Sequence, residues 1–111
     1  MTIKKFEVKS YEIKLGEALE IGGKKFPAVI VCNGADGHRC ILYFYHDGNP
    51  QNPPHYNPPY KVGTIQLRFK NIMPYIDMLR NERPVYAYLN SEKPWWNNIS
   101  TSREPVGEEE T

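Results

Sequence analysis

The sequence is poor in cysteine and in long apolar runs, and each shortage excludes a class of protein. Two cysteines among 111 residues cannot staple a disulfide-rich secreted scaffold. No apolar run approaches the roughly 20 residues of a membrane span, and the first six residues lack the apolar core of a signal peptide. These absences predict an intracellular, cytoplasmic protein that does not enter a membrane.

The sequence also lacks the spaced motifs of common catalytic and metal sites. It has no C-x-x-C, no H-x-x-x-H, no G-x-S-x-G and no phosphate-binding glycine loop. The three histidines are expected at a turn, a strand end and a loop, and Asp36, Asp47 and Asp77 at a turn, a loop and a helix. Because neither set forms a compact pattern, we predict a non-enzymatic protein with no catalytic residues, no metal site and no cofactor.

Aromatic residues and proline are the residue types in excess. Aromatic residues make up 13% of the chain, and there are 10 prolines. Aromatic side chains favour strands, whereas proline interrupts helices and central strands, so the composition favours a β-rich protein with long loops. We predict one compact domain over residues 1–91 and a polar tail over residues 92–111, which contains a tryptophan pair and an acidic end.

The net charge of +1 hides an uneven distribution along the chain. Residues 104–111 carry four acids and no base, which leaves 14 bases and 9 acids, or +5, on residues 1–103. The acidic end is typical of a solvated, disordered tail. The alternative is a tail that competes with an anionic ligand for the basic part of the chain.

Alternating apolar residues and glycine turns predict antiparallel strands in the first half. Residues 3–15 have the pattern of a strand, with a bulge or break at Ser10–Tyr11, where the apolar parity switches. Gly22-Gly23 predicts a type I′ hairpin turn. A second turn of three residues, which ends in a left-handed glycine, would place Cys32 opposite Cys40.

The two cysteines admit three interpretations. Opposite positions on adjacent strands allow a disulfide if the local geometry bends to it. An intracellular protein ordinarily keeps such thiols reduced and buried, and we favour this interpretation. Redox or metal chemistry is the third, and no motif supports it.

The second half alternates a loop, a strand, a helix and a strand. Residues 47–60 hold five prolines and predict a long loop, partly polyproline II in character. A strand at 62–70, a helix at 72–82 and a strand at 85–89 follow. We therefore predict an α+β fold, with a bent antiparallel sheet of five or six strands, open or barrel-like, and one helix between the last two strands.

Tyrosines and basic residues occupy the predicted strand positions opposite the most apolar faces. Bases of single-stranded nucleic acid stack on such rings, while Lys and Arg neutralise phosphates. The alternative is that the tyrosines cover a second, smaller core or a dimer interface, because Val29, Val31 and Ile41 share that face. The residues predicted to bind nucleic acid are Arg39, Tyr43, Tyr45, Lys61, Arg68, Lys70, Tyr86 and Tyr88.

The order of elements between residues 38 and 82 carries a family resemblance. Strand 39–45 is followed by a loop rich in Pro and Gly, by the stretch YKVGTIQL at 60–67 and by a helix. This order resembles the transcriptional-coactivator and whirly group of single-stranded-DNA-binding domains, in which a Lys-Gly-Ile-x-Leu-like stretch leads from a twisted antiparallel sheet into a helix. The resemblance implies a homodimer with DNA across aromatic and basic strand ridges. It implies binding roles for Lys61, Arg39 and Tyr43.

Three functions fit these features, and the first is a non-enzymatic module that binds single-stranded nucleic acid by tyrosine stacking and phosphate contacts. The second is a protein-interaction or assembly module whose contact surface is the proline-rich stretch 47–60 and the tryptophan pair. The two adjacent tryptophans are expected either to pack back on the domain or to dock on a partner. The contact residues of this module would be Pro53, Pro54, Tyr56, Pro58, Pro59, Trp95 and Trp96. The third is a small-molecule binder or enzyme with a pocket near His46 and His55.

Overall fold

The computed structural model describes residues 2–48 and 52–103, which form two sheets and one α-helix. The strands are β1 Ile3–Glu7, β2 Ser10–Ile21, β3 Lys24–Asn33, β4 Arg39–Tyr45, β5 Tyr56–Asn57, β6 Val62–Arg68, β7 Val85–Asn90 and β8 Asn98–Thr101. The helix α1 spans Ile72–Asn81. Short 3-10 turns cover Pro58–Tyr60, Phe69–Asn71 and Pro94–Trp96. The acidic end predicted at 104–111 lies outside the described residues.

The larger sheet has five strands in the order β2-β3-β4-β6-β5. Its neighbouring strands are antiparallel except β4 and β6, which run parallel with Arg39 opposite Val62 and Tyr45 opposite Arg68. The segment 47–60, called the proline loop below, connects these two parallel strands. It was predicted to be a loop, but it contains the short strand β5 and the Pro58–Tyr60 turn. The smaller sheet is antiparallel, in the order β1-β7-β8.

The hydrophobic core lies between the two sheets and the helix. Alternate residues of the central strands point into it, so that Ile30, Leu42 and Ile65 lie side by side across β3, β4 and β6. A Cβ atom at Gly63 would overlap the side chain of Leu89, so β6 and β7 approach closely. The smaller sheet and the helix complete the core with Phe6, Val85, Ala87, Leu89, Ile99, Ile72 and Leu79.

The predicted hairpin turns are confirmed. Gly22 and Gly23 both have positive φ, 59° and 79°, as a type I′ turn requires. Cys32 lies opposite Cys40, and both thiols are buried and unpaired. Burial raises the pKa of the Cys32 thiol to about 12. This arrangement matches the interpretation as core thiols, because desolvation disfavours the thiolate that redox or metal chemistry needs.

The α+β class is confirmed, but two sheets with a parallel pair replace the predicted single antiparallel sheet of five or six strands. No closed barrel forms within residues 2–48 and 52–103. The chain changes sheets at Val8 and Lys9, earlier than the predicted break at Ser10–Tyr11. There the Val8 N–H donates to the carbonyl of Val85 in the smaller sheet, and the Lys9 N–H donates to that of Asn33 in the larger one.

The segment predicted to be a polar tail forms an edge strand of the smaller sheet. Strand β8 pairs with β7, with Ile99 opposite Ala87, and Ile99 lies in the core. The Pro94–Trp96 turn reverses the chain and makes this pairing possible. The compact domain therefore extends to Thr101, and the helix lies between β6 and β7 rather than between the last two strands.

Candidate functional site

Four of the eight residues predicted to bind nucleic acid share the outer face, by which we mean the face of the larger sheet that points away from the core. Arg39, Tyr43 and Tyr45 alternate along β4, and Arg68 lies opposite Tyr45 on β6. Both arginines are exposed, and both tyrosines are half-buried. The face therefore carries cations and aromatic rings in one row, the combination that single-stranded nucleic acids bind.

Neighbouring side chains reduce the stacking area and the positive charge of this row. The Phe26 ring packs on the Tyr43 ring with their centroids 4.9 Å apart, and burial raises the pKa of the Tyr43 hydroxyl. An Asp47 carboxylate oxygen lies 3.8 Å from Nε of Arg68, and the other lies 3.7 Å from Nζ of Lys70. One carboxylate therefore offsets two of the predicted phosphate-binding cations.

The structure does not bring all eight predicted residues together. Lys61 precedes β6, and its Nζ donates to the carbonyl oxygen of Asp36 at 3.1 Å. Tyr86 and Tyr88 lie on β7 in the smaller sheet, where the Lys5 Nζ is 4.9 Å from the centre of the Tyr86 ring. Because the two sheets pack core face to core face, these two tyrosines point away from the row on the outer face.

Two exposed tryptophans lie in the Pro94–Trp96 turn between β7 and β8, called the tryptophan turn below. Trp95 is 67% exposed and Trp96 is 57% exposed. The Lys93 Nζ lies 4.3 Å from the centre of the Trp96 ring, which is a cation–π contact. Of the two outcomes predicted for this pair, packing back on the domain is therefore wrong.

Two buried asparagines hold the tryptophan turn. Asn90 is 1% exposed, and its Oδ1 accepts the backbone N–H groups of Glu92 and Lys93 at 3.0 and 2.8 Å. At the other end of the turn, Oδ1 of Asn97 accepts the backbone N–H of Asn90 at 2.8 Å. Within the turn, the Trp96 N–H donates to the Lys93 carbonyl at 2.9 Å. These bonds satisfy buried polar groups at both ends and fix the backbone that carries the tryptophans.

Asn97 also connects the tryptophan turn to the proline loop. Its Nδ2 donates to the carbonyl oxygen of His55 at 3.1 Å and to that of Thr64 at 3.0 Å. The two segments are far apart in the sequence, yet this one side chain places them side by side. The structure therefore connects the end of the tryptophan turn to the proline loop at His55.

Burial divides the proline-loop residues that were predicted to contact a partner. Pro54 and Tyr56 are buried, so these two cannot form part of a contact surface. Tyr60, which the sequence pattern did not single out, is 76% exposed. Its signal was the pair of prolines before it, since prolines restrict φ and stiffen the short turn that carries the ring. The other predicted prolines remain accessible, namely Pro53, Pro58 and Pro59.

A chain of hydrogen bonds joins a carboxylate, an imidazole and a phenol at the turn between β3 and β4. Oδ2 of Asp36 lies 3.1 Å from Nδ1 of His38, and Nε2 of His38 lies 3.2 Å from the hydroxyl oxygen of Tyr56. This order resembles the relays that activate hydroxyl nucleophiles. However, Tyr56 is only 7% exposed, and burial raises the pKa of its hydroxyl. This series of hydrogen bonds therefore anchors the proline loop rather than presenting a nucleophile.

Two surface cavities stand out. The larger, of about 500 Å³, lies between the β1–β2 junction and the end of α1, and both Glu7 and Arg83 line it, so it mixes charges of both signs. The smaller, of about 170 Å³, lies on the outer face and is lined by His55 but not by His46. The His46 ring instead packs edge-on against Phe69, with centroids 5.4 Å apart. Of the two histidines predicted to lie near a pocket, only His55 lines this cavity.

The described residues contain neither a metal-binding cluster nor a membrane-spanning helix. Within residues 2–48 and 52–103, no three His, Cys, Asp or Glu side chains converge closely enough to hold a metal ion. No helix in those same ranges is both long enough and apolar enough to cross a membrane. The resemblance of residues 38–82 to the whirly group stays a prediction. No family model, curated protein or solved structure matches the chain.

Proposed function

We propose that this protein is a non-enzymatic module that binds a partner protein through the tryptophan turn. The observation that carries the proposal is that two adjacent tryptophans are more than half exposed on a turn held by buried asparagines. Such exposure leaves a large apolar area in water, which marks interaction sites. Tryptophan is also among the residues that contribute most to the free energy of protein association.

The tryptophan turn is ordered in the free protein. Asn90 and Asn97 direct their side-chain hydrogen bonds to backbone groups in and beside the turn, and Pro94 restricts the backbone at its start. A surface ordered in advance loses less conformational entropy on binding and therefore binds more tightly. The tryptophan turn thus forms a preformed contact surface.

The chemistry around the two rings indicates what the partner must supply. An apolar pocket would take the indole rings, because the core of an interface is apolar and depleted in charge. Lys93 stands against the Trp96 ring, so a carboxylate at the rim of that pocket would pair with its ammonium group. We therefore expect a partner protein with an aromatic-accepting pocket and an acidic rim.

A capture experiment with the full chain as bait tests the proposal. The baits are the wild type, the double variant Trp95→Ala/Trp96→Ala and the matched double variant Leu15→Ala/Met73→Ala. Leu15 and Met73 are each 64% exposed, so the matched variant removes exposed apolar area elsewhere. We expect an identified partner, once purified, to bind the wild type and the matched variant equally and the tryptophan variant at least about tenfold more weakly.

Direct contact is read from the tryptophans themselves. The chain has two tryptophans, both in the turn, so incorporation of 5-fluorotryptophan gives two ¹⁹F resonances that report on this surface alone. Titration with the purified partner should shift or broaden both. The proposal is contradicted if the tryptophan variant binds as tightly as the wild type, or if both resonances stay unchanged at saturation.

Single-stranded nucleic acid is the second candidate ligand, and one observation favours it. Arg39, Tyr45 and Arg68 form one row on the outer face, and within the described residues no aromatic ring packs on Tyr45 as Phe26 packs on Tyr43. The charge of +5 on residues 1–103 is favourable to an anionic ligand. The stacking surface would be Tyr45, with the two arginines on the phosphates.

Titration of labelled oligothymidylate at two salt concentrations tests this second candidate. Binding should weaken as salt rises, because each phosphate contact releases a counterion. The variant Arg39→Ala/Arg68→Ala should bind more weakly and lower the salt slope by about 2. The matched variant Arg80→Ala/Arg83→Ala, with both changes away from the outer face, should keep the slope. No binding at low salt, or an equal loss in both variants, would exclude the outer face as the nucleic-acid site.

A further inference from the structure

The smaller cavity on the outer face has the size of one planar ring. It lies between the tip of the β2–β3 hairpin and the proline loop, and its volume is about 170 Å³. For comparison, an apolar cavity of about 150 Å³ holds one benzene molecule. Its main lining residues are Ile21, Phe26, Tyr43, His55, Thr64 and Gln66.

Aromatic rings form one wall of this cavity. Phe26 is 3% exposed, and its ring meets that of Tyr43 at 39°, with the centroids 4.9 Å apart. Phe26 is positioned by the sheet, since it pairs with Leu19 across the hairpin. A planar ligand would gain offset or edge-to-face contacts with these rings, which aromatic pairs prefer.

Gln66 supplies a polar group to the lining of this cavity. Its Oε1 is buried and finds no hydrogen-bond partner among the described residues, whereas buried side-chain oxygens are ordinarily hydrogen-bonded. The hydroxyl of the neighbouring Thr64 already has hydrogen-bond partners. Its Oγ1 accepts the backbone N–H of His55 at 3.1 Å and lies 3.2 Å from Nδ1 of the His55 ring. The Gln66 carboxamide, with an acceptor beside a donor, therefore places an unsatisfied acceptor in the lining of the cavity.

We propose that this cavity binds a planar heteroaromatic ring with an N–H donor next to a hydrogen-bond acceptor, the edge that a pyrimidine base such as uracil presents. The ring lies against Phe26 and Tyr43, and its polar edge pairs with the Gln66 carboxamide, as carboxamides pair with bases elsewhere. The free base and a base within a single strand share this chemistry. Trp95 and Trp96 do not line this cavity.

Nuclear magnetic resonance titration of the full chain with uracil and with benzene tests the site. In the wild type, uracil should give saturable shifts at Phe26, Tyr43 and Gln66 and should bind more tightly than benzene. The variant Gln66→Leu should bind uracil about tenfold more weakly while keeping benzene binding. This variant should also keep or raise the wild-type melting temperature, because Oε1 has no partner to lose. Glu12→Gln, on the same face outside the cavity, should change neither affinity.

The results of the uracil titration decide whether the cavity binds a planar ring. The proposal is overturned if uracil gives no saturable shifts, if the shifts lie elsewhere, or if Gln66→Leu binds uracil as the wild type does. A short oligouridylate then identifies the source of the ring. Tighter, salt-dependent binding of the strand with the same Gln66 dependence indicates a base within a single strand, whereas binding no tighter than that of uracil indicates the free base.

Discussion

At the scale of single residues, Asp36 is a charged group that several neighbours engage at once. Its carboxylate accepts the backbone N–H of His38 at 3.1 Å and lies 3.1 Å from both the His38 ring and the Lys4 ammonium. The hydrogen bond from the His38 backbone, followed by Lys4, holds the pKa of Asp36 well below its usual range. The turn between β3 and β4 is thus stabilised by an ionised side chain.

This predicts an acid-sensitive contribution to stability. Because the folded pKa is depressed, the contribution is complete above the ordinary value of 3.8 and is lost as the pH falls below it toward the folded value. Asp36→Asn should melt at a lower temperature at neutral pH, and its melting temperature should fall less steeply than that of the wild type below about pH 4. Lys4→Met, which leaves the His38 bonds, should fall between the two. Parallel acid slopes for all three proteins would refute the assignment.

Gly63 is a second residue whose role is set by its neighbour. A Cβ built there would lie 2.8 Å from Cδ1 of Leu89, which is closer than real Cβ contacts come, and Leu89 is fully buried. Gly63→Ala should therefore destabilise the protein by about 1–3 kcal/mol in denaturant titration. Gly16→Ala is the control, since its nearest atoms belong to the flexible end of Leu19. Equal midpoints for Gly63→Ala and the wild type would show that the sheets are not this close.

At the scale of elements, strand β8 completes the smaller sheet. It pairs with β7 and places Ile99 opposite Ala87 in the core. The tryptophan turn depends on this strand, because Asn97 directly precedes β8 and bonds to Asn90 at the end of β7. Loss of β8 would therefore remove both part of the core and the support of the contact surface.

Substitutions on the two faces of β8 check this role. Ile99→Ala should destabilise the protein by about 2–4 kcal/mol, because it leaves a cavity in the core. Ser100→Ala, one residue along and on the opposite face, should change stability by less than about 0.5 kcal/mol. Thermal unfolding of both variants decides the matter. Similar losses in the two would mean that β8 adds nothing specific to the core, as expected of a tail.

Local chemistry made several elements predictable and left the sheet arrangement open. Two consecutive glycines tolerate the positive φ angles that a type I′ turn requires, so the first hairpin turn was predictable. The apolar spacing of residues 72–82 predicted the helix to within one residue of its end. The parallel pairing of β4 with β6 was not predictable, because it joins residues on either side of the proline loop and leaves no local pattern. Ile99 was missed for a similar reason, since one apolar residue among polar ones defines a strand only beside its partner.

In the candidate site, too, local sequence features could be predicted, whereas contacts between distant segments could not. Trp95 and Trp96 stood out in the sequence because adjacent tryptophans in a polar segment are unusual. Asn97 could not be recognised, since part of its role arises from contacts with His55 and Thr64 in another part of the chain. Six of the eight residues predicted to bind nucleic acid lie on strands, whereas Lys61 and Lys70 lie outside them. The division of these six between two sheets followed from strand pairing, which alternation does not specify.

At the scale of the whole molecule, both sheets and the helix share one hydrophobic core. The buried cluster takes side chains from every layer, so neither sheet has a core of its own. We therefore predict a single cooperative unfolding transition in denaturant. Tryptophan fluorescence, which reports on the smaller sheet's turn, and far-ultraviolet circular dichroism should give coincident curves. A tryptophan transition at clearly lower denaturant would mean that the smaller sheet unfolds independently.

The pairing of β1 with β7 has a consequence for how the chain reaches its native state. Ile3 lies opposite Asn90, so β1 finds its partner β7 only after all the elements between them have been synthesised. Contacts between residues so distant in the chain raise the contact order, and such topologies fold in milliseconds to seconds rather than microseconds. While β7 is still inside the ribosome, the core faces of β3 and β4 remain uncovered, and this nascent intermediate is the stage at which aggregation competes with folding.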